Sequence, residues 1–131
     1  MTLDHFKAIN DTYGHGKGDD VLAAVGAVAA STVRAGDFVG RFGGEEFAAV
    51  LPDTDRAGAL EAAEKLRAAI ATITVPGIDR PITASFGVAV MPDDAGEPDL
   101  LLREADRALY SAKRAGRNRV ETTTVVAATT A

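Results

Sequence analysis

Two adjacent glycines followed at once by two glutamates, Gly43-Gly44-Glu45-Glu46, sit between the short apolar runs Phe38-Val39-Gly40 and Ala48-Ala49-Val50-Leu51. Apolar residues on both sides of a glycine pair predict a β-hairpin, with Arg41, Phe42 and Phe47 flanking the turn. Adjacent glycines permit positive φ and leave room for another molecule to approach the backbone. A hairpin that only reverses direction is content with Asn-Gly or Asp-Gly. Paired carboxylates beside paired glycines therefore point to chemistry at the turn, the plain alternative being a solvated turn that bears two surface acids.

A chain of 131 residues suits one domain with a modest core. Its formal net charge of −5 argues against a surface that tracks nucleic acid, so an anionic ligand would need a local basic pocket. The absence of cysteine excludes disulfides, thiolate zinc sites and cysteine nucleophiles. The longest apolar run, Val21 to Ala30, is interrupted by Gly26 and is too short to span a bilayer. Met1-Thr2-Leu3-Asp4-His5 lacks the basic and apolar regions of a secretory signal, which gives a cytoplasmic expectation.

Taken in order, Met1-Thr2-Leu3 reads as the end of a strand leading into the polar segment Asp4–Asp11. Thr12–Gly18 reads as a glycine-studded loop, after which Asp19 is expected to cap a helix running to about Val33, with Val21, Leu22, Val25, Val28 and Ala29 inward. Past the hairpin, Asp53 or Thr54 is expected to cap a second helix with Ala57, Leu60, Ala63, Leu66, Ala69 and Ile70 on one face. The β-branched run Ile82–Val90 predicts a strand. A third helix is expected from about Asp99 to Ala115, with Leu101, Leu102, Ala105, Ala108, Leu109 and Ala112 inward and Gly116 ending it. Asn118–Glu121 suits a last short strand, and 124–131 is too poor in large apolar residues to order itself. The class is α/β or α+β: a mixed central sheet covered by helices, forming one domain over residues 1–123.

Three blocks in this order resemble the GGDEF family of diguanylate cyclase domains. They are Leu3–Asp11 with Gly14-His15 and Gly18-Asp19, then Arg41–Phe47, then Ala105-Asp106, Tyr110, Ala112-Lys113 and Gly116-Arg117-Asn118. The resemblance implies a nucleotidyl-cyclase-like fold and the condensation of two GTP into cyclic di-GMP with release of pyrophosphate. It further implies Mg²⁺ (or Mn²⁺), a transient homodimer when active, and cyclic di-GMP as both product and inhibitor. Glu45 would be a metal ligand together with the Leu3 carbonyl, and Glu46 would help deprotonate the attacking hydroxyl or hold a second ion. Phe6 and Lys7 would contact phosphates; Asn10 and Asp19 would read guanine; Gly43 and Gly44 would let the nucleotide approach; His15 would touch it. Lys113 and Arg117, four residues apart across a helix end, would bind one triphosphate. Arg34 and Asp37 fit the inhibitory RxxD motif, and Lys65 stands where a second inhibitory arginine is expected, keeping charge without the planar fork.

Two departures bear on activity. Thr2 occupies the position of the family's first metal-binding aspartate, and a neutral hydroxyl is a poor substitute toward Mg²⁺. Asp4 is not expected to take its place. The family's leading helix and most of its first strand are also missing, so a silent module that binds cyclic di-GMP or GTP, or a remnant without function, stands as the alternative.

Overall fold

A computed structural model of the chain describes residues 1–122, and the segment expected to lack order, 124–131, lies outside the described residues. The elements are β1 (Thr2–Leu3), α1 (Phe6–Tyr13), α2 (His15–Thr32), β2 (Phe38–Gly43), β3 (Glu46–Val50), α3 (Arg56–Ile70), β4 (Ala84–Val88), α4 (Pro98–Arg114) and β5 (Val120–Thr122). The five strands form one sheet in the order β2-β3-β1-β4-β5. β1 is antiparallel to both β3 and β4, whereas β4 and β5 are parallel. The expected mixed α+β architecture is therefore present, with the short β1 at the centre of the sheet.

Strand register divides the sheet into two faces, because opposed residues share a face and successive residues alternate. Thr2 lies opposite Glu46 on one side and Ser85 on the other. Leu3, Phe47, Ala84 and Phe86 consequently occupy the other face, where they join Phe6, Val21, Val25, Ala63, Leu66 and Ile70 in one buried cluster beneath α1, α2 and α3. Ile9, Ile70, Val21 and Val25 are fully buried, each stabilising by about 1.5–3 kcal/mol relative to exposure. α4 covers the first face at β4, so closely that a β-carbon on Gly87 would stand 2.1 Å from the Ala105 carbonyl oxygen. No helix among the described residues is long and apolar enough to cross a membrane.

Several local expectations are corrected. The polar opening segment is helical, because Phe6 and Ile9, three residues apart, turn one face of α1 into the core. Only Gly14, at φ 90°, interrupts the stretch expected to be a loop, and α2 begins at His15. Asp19 thus sits in the second turn of α2 and is not its cap. Neither Asp53 nor Thr54 caps α3: Asp55 does, accepting from the Gly58 amide at 2.8 Å. The Thr54 hydroxyl is engaged elsewhere, donating to the Pro52 carbonyl and accepting from Arg34. Ala57 is exposed and Ala59 buried in its stead. β4 is shorter than the apolar run, spanning Ala84–Val88, and Leu102 of α4 faces outward at 50% exposure. Pro98 occupies the first turn of α4, where its missing N–H costs nothing.

Candidate functional site

The hairpin is built as its glycines require. Gly43 pairs with Glu46, leaving Gly44 and Glu45 as the turn, with Gly44 at φ 30°. A register shift between Arg41 and Gly43 bends the strand there, and the Arg41 Nε–H donates to the Gly44 carbonyl at 2.9 Å, tying the tip back on itself. β1 meets the base of this turn: the Leu3 amide donates to the Glu45 carbonyl at 3.2 Å, and the Phe47 amide to the Met1 carbonyl at 2.9 Å. A strand residue sends its N–H and C=O out of the same side, so the Leu3 carbonyl also faces the turn at Glu45. Glu45 is half-buried and Glu46 exposed. Glu46, Thr2 and Ser85 form a row across the three central strands, with Thr2 and Ser85 buried.

Beside the hairpin opens a cleft of about 530 Å³ between α2 and β2–β3, lined among others by Asp19, Leu22, Gly26, Val39, Arg41 and Phe47. Next to Asp19 along the chain, Gly18 is buried against Asn10 of α1. The Asn10 Oδ1 atom is itself buried and has no hydrogen-bond partner. Such an atom costs about 1–3 kcal/mol unless something donates to it. A β-carbon on Gly18 would lie 1.8 Å from that oxygen, so the glycine is what makes room for it.

Phe6 and Lys7 open α1, whose N-cap His5 adopts φ 56° and supplies no side-chain cap. Their amides belong to the first turn, which lacks intrahelical acceptors and suits an anion. Phe6 is buried and Lys7 exposed. His15 is exposed at the first position of α2. Lys113 is half-buried in the last turn of α4, but Arg117 has left the helix. Gly116 at φ 125° turns the chain, the Arg117 amide donates to the Ala112 carbonyl at 3.0 Å, and Arg117 and Asn118 are both left-handed, at φ 65° and 47°. Lys113 and Arg117 thus straddle the end of α4 as expected, and the turn after Gly116 sets the backbone at Arg117.

A second, smaller cavity of about 190 Å³ gathers Arg34, Asp37, Thr54, Glu61 and Lys65. The Asp37 carboxylate accepts from the Arg34 amide at 3.1 Å and from its Nε–H at 3.3 Å, and the hydrogen bonds from Arg34 hold its carboxyl below the ordinary range. Arg34 also donates to the Thr54 hydroxyl at 2.8 Å. Lys65 faces Glu61 of its own helix at 3.6 Å. Sequence reasoning brought Arg34, Asp37 and Lys65 together, but it missed Thr54 and Glu61, which only the packing of α3 supplies.

Asp4 was also missed as anything more than a failed substitute for a ligand. It is buried, and its carboxylate accepts from Ser85 Oγ at 2.6 Å, Thr83 Oγ1 at 2.8 Å and the Asn118 amide at 3.0 Å. No group of three or more His, Cys, Asp or Glu side chains suited to a metal ion occurs among the described residues. At the β1–hairpin junction the Leu3 carbonyl faces the turn that carries Glu45, and Thr2 lies opposite Glu46.

Residues 1–119 match the family described as diguanylate cyclase, GGDEF domain. The chain is 47% identical over 120 residues to the diguanylate cyclase DgcM of Escherichia coli, covering 92% of this chain and 29% of that protein. It is 42% identical over 124 residues to the response regulator PleD of Caulobacter vibrioides, again over 92% of this chain and 27% of the relative. The chain thus spans under a third of these curated relatives. Among solved structures, the GGDEF domain of YfiN (TpbB) from Pseudomonas aeruginosa superposes with a TM-score of 0.87 at 34% identity, over 95% of this chain and 79% of that one. The coiled coil and GGDEF domain of DgcB from Caulobacter crescentus, solved in complex with c-di-GMP, gives 0.80 at 32% identity, over 93% and 66%. With the hairpin, the central β1 and the flanking helices in the same arrangement, this chain belongs to the GGDEF domain family.

Proposed function

We propose that the domain binds GTP with its base in the cleft between α2 and the hairpin and its phosphates along the start of α1, Lys113 and Arg117. Two such domains facing one another as a two-fold pair would then condense two GTP into cyclic di-GMP. The 3′-hydroxyl oxygen of one nucleotide attacks the α-phosphorus of the other, the bond from that phosphorus to the β-phosphate bridge breaks, and pyrophosphate leaves. The hydroxyl proton passes toward Glu46, and the reciprocal step closes the ring and releases a second pyrophosphate. This chemistry asks the protein for position and compensating charge rather than a covalent bond. Magnesium, arriving with the triphosphate, would supply the largest share of that charge. The Leu3 carbonyl and Glu45 are the residues that would hold it, a set that fits an ion otherwise ligated by phosphate and water.

The observation that carries this reading is the unpartnered Asn10 Oδ1, a buried acceptor packed against Gly18, whose chain neighbour Asp19 lines the cleft; a guanine N–H would satisfy it. A second reading, a silent module that binds GTP or cyclic di-GMP without turnover, is favoured by the neutral Thr2 in the row with Glu46. Incubating the chain with GTP and Mg²⁺ and resolving the nucleotides by chromatography decides between them. Cyclic di-GMP that disappears in Glu45→Ala, and whose rate per chain rises with chain concentration, supports the cyclase. Calorimetric binding of GTP or cyclic di-GMP with no product supports the silent module, and binding of neither overturns both.

A further inference from the structure

We infer that Asp4 is a positioning residue for the triphosphate: its buried carboxylate holds the Arg117–Asn118 turn against the central strand and so sets where Arg117 points. This inference rests on the assignment of Arg117 to the phosphates made above.

The carboxylate is 5% exposed as a residue and is satisfied by two hydroxyls and one backbone amide. Its three donors come from separate places. Thr83, just before β4, and Ser85, within it, anchor Asp4 to the sheet, and the Asp4 amide adds a bond to the Thr83 carbonyl at 2.9 Å. Asn118 lies at a sequence separation of 114 residues, beyond the end of α4. The turn it belongs to needs a restraint. Non-glycine residues in the left-handed region cost energy, and here two occur in succession, at Arg117 and Asn118. Such a conformation persists only where surrounding contacts impose it. Asp4 imposes it from the sheet through the Asn118 amide, while Arg67 of α3 donates to Asn118 Oδ1 at 3.0 Å from the other side.

The consequence reaches the site through two covalent neighbours. Arg117 directly precedes the clamped amide, and Leu3, whose carbonyl faces the hairpin turn, directly precedes Asp4. One buried carboxylate therefore fixes a proposed phosphate contact and a proposed metal contact relative to each other, without itself facing the nucleotide. A loss at Asp4 should be felt by the outer phosphates and not by the base, which is read at Asn10 and Asp19 on other elements.

The test is calorimetry of the whole chain with GTP and with GMP, which lacks the outer phosphates, for the native protein, Asp4→Ala, Arg117→Ala and the double variant. Asp4→Ala removes the oxygen that the Asn118 amide and the Thr83 hydroxyl share, and with it the clamp on the turn. Expected are a roughly five- to tenfold loss of GTP affinity, GMP affinity unchanged, and no further loss when Asp4→Ala is added to Arg117→Ala. Ser85→Ala, which strips the carboxylate of one bond without touching the turn, should lower the unfolding temperature and leave GTP affinity within about twofold of native. Equal losses for GTP and GMP, losses that add in the double variant, or a selective GTP loss in Ser85→Ala would each overturn the positioning role. If the native chain binds no GTP, or Arg117→Ala binds it as well as native, the phosphate assignment fails first and this inference falls with it.

Discussion

Single atoms decide how α1 packs against the start of α2. Gly18 is a glycine because Asn10 Oδ1 occupies the space a side chain would need, and a β-carbon there would also stand 3.3 Å from the Phe6 ring. In Gly18→Ala, Asn10 must leave its place, since a β-carbon cannot stand 1.8 Å from an oxygen. The variant is expected to lose about 1–3 kcal/mol of stability by overpacking and at least tenfold in GTP affinity, read by thermal unfolding and calorimetry. A variant that binds GTP as the native chain does would remove Asn10 from the site. A second residue-scale prediction concerns Asp94, whose side chain is fully buried while that of its partner Arg56 is 30% exposed, at 2.6 Å. Burial pushes the Asp94 carboxyl up, but the Arg56 hydrogen bond, the Val90 amide and the Arg56 charge together outweigh it and leave the group below its ordinary value. A folded value below the unfolded one, about 3.9, means that this pair contributes stability above that pH and loses it as pH falls through the lower folded value. Asp94→Asn should therefore cost about 2 kcal/mol at pH 7, the partial exposure of Arg56 keeping it below a fully buried pair. Urea titrations of the two proteins should converge as pH is lowered from 5 toward 3.

At the scale of elements, α4 is held to the sheet by an absence. Gly87 on β4 faces the backbone of α4, where a β-carbon would stand 2.1 Å from the Ala105 carbonyl oxygen and 2.4 Å from the Leu109 amide nitrogen. Backbone atoms in mid-helix do not yield as the end of a flexible side chain does. Gly87→Ala is expected to destabilise by about 3 kcal/mol or more, or to prevent folding, whereas Gly40→Ala, with nothing within 4 Å, should cost well under 1 kcal/mol. Equal unfolding midpoints for the two variants would show that α4 does not pack as described. This contact also marks what the sequence could carry. Periodicity located α2, α3 and α4, because Val21, Val25, Ala63, Leu66, Ala108 and Ala112 recur at helical spacing and are buried. Glycine and acid types located the hairpin. What stayed illegible depends on neighbours distant in the chain. α1 is helical because Phe6 and Ile9 find a core to enter, Asp55 caps α3 while Thr54 is engaged with Arg34, and the buried Asp4 is satisfied in part by the Asn118 amide that arrives beside it. Local propensity contains none of these facts.

Across the whole molecule, three strands bring their side chains into one row, Glu46 from β3, Thr2 from β1 and Ser85 from β4, beside the turn that carries Glu45. The middle of that row is Thr2, a residue only 3% exposed. Replacing Thr2 with aspartate would put a buried carboxylate next to Glu46, and like charges so placed repel one another when nothing compensates them. Thr2→Asp is accordingly expected to lower the unfolding temperature in the presence of a chelator. Millimolar Mg²⁺ should restore it, since an ion that binds only the folded state stabilises that state by mass action. The same concentration of Mg²⁺ should leave the native melting temperature almost unmoved, since the proposed set of the Leu3 carbonyl and Glu45 would need phosphate to complete it. Formation of cyclic di-GMP from GTP should rise at least tenfold over the native chain. Melting curves with chelator and with Mg²⁺, followed by chromatography of the nucleotide products, provide both readouts on one preparation. A variant whose lost stability does not return with Mg²⁺ places the cation elsewhere. One that regains stability without gaining turnover shows that the metal is not what limits the native domain, which would leave the binding module as its function.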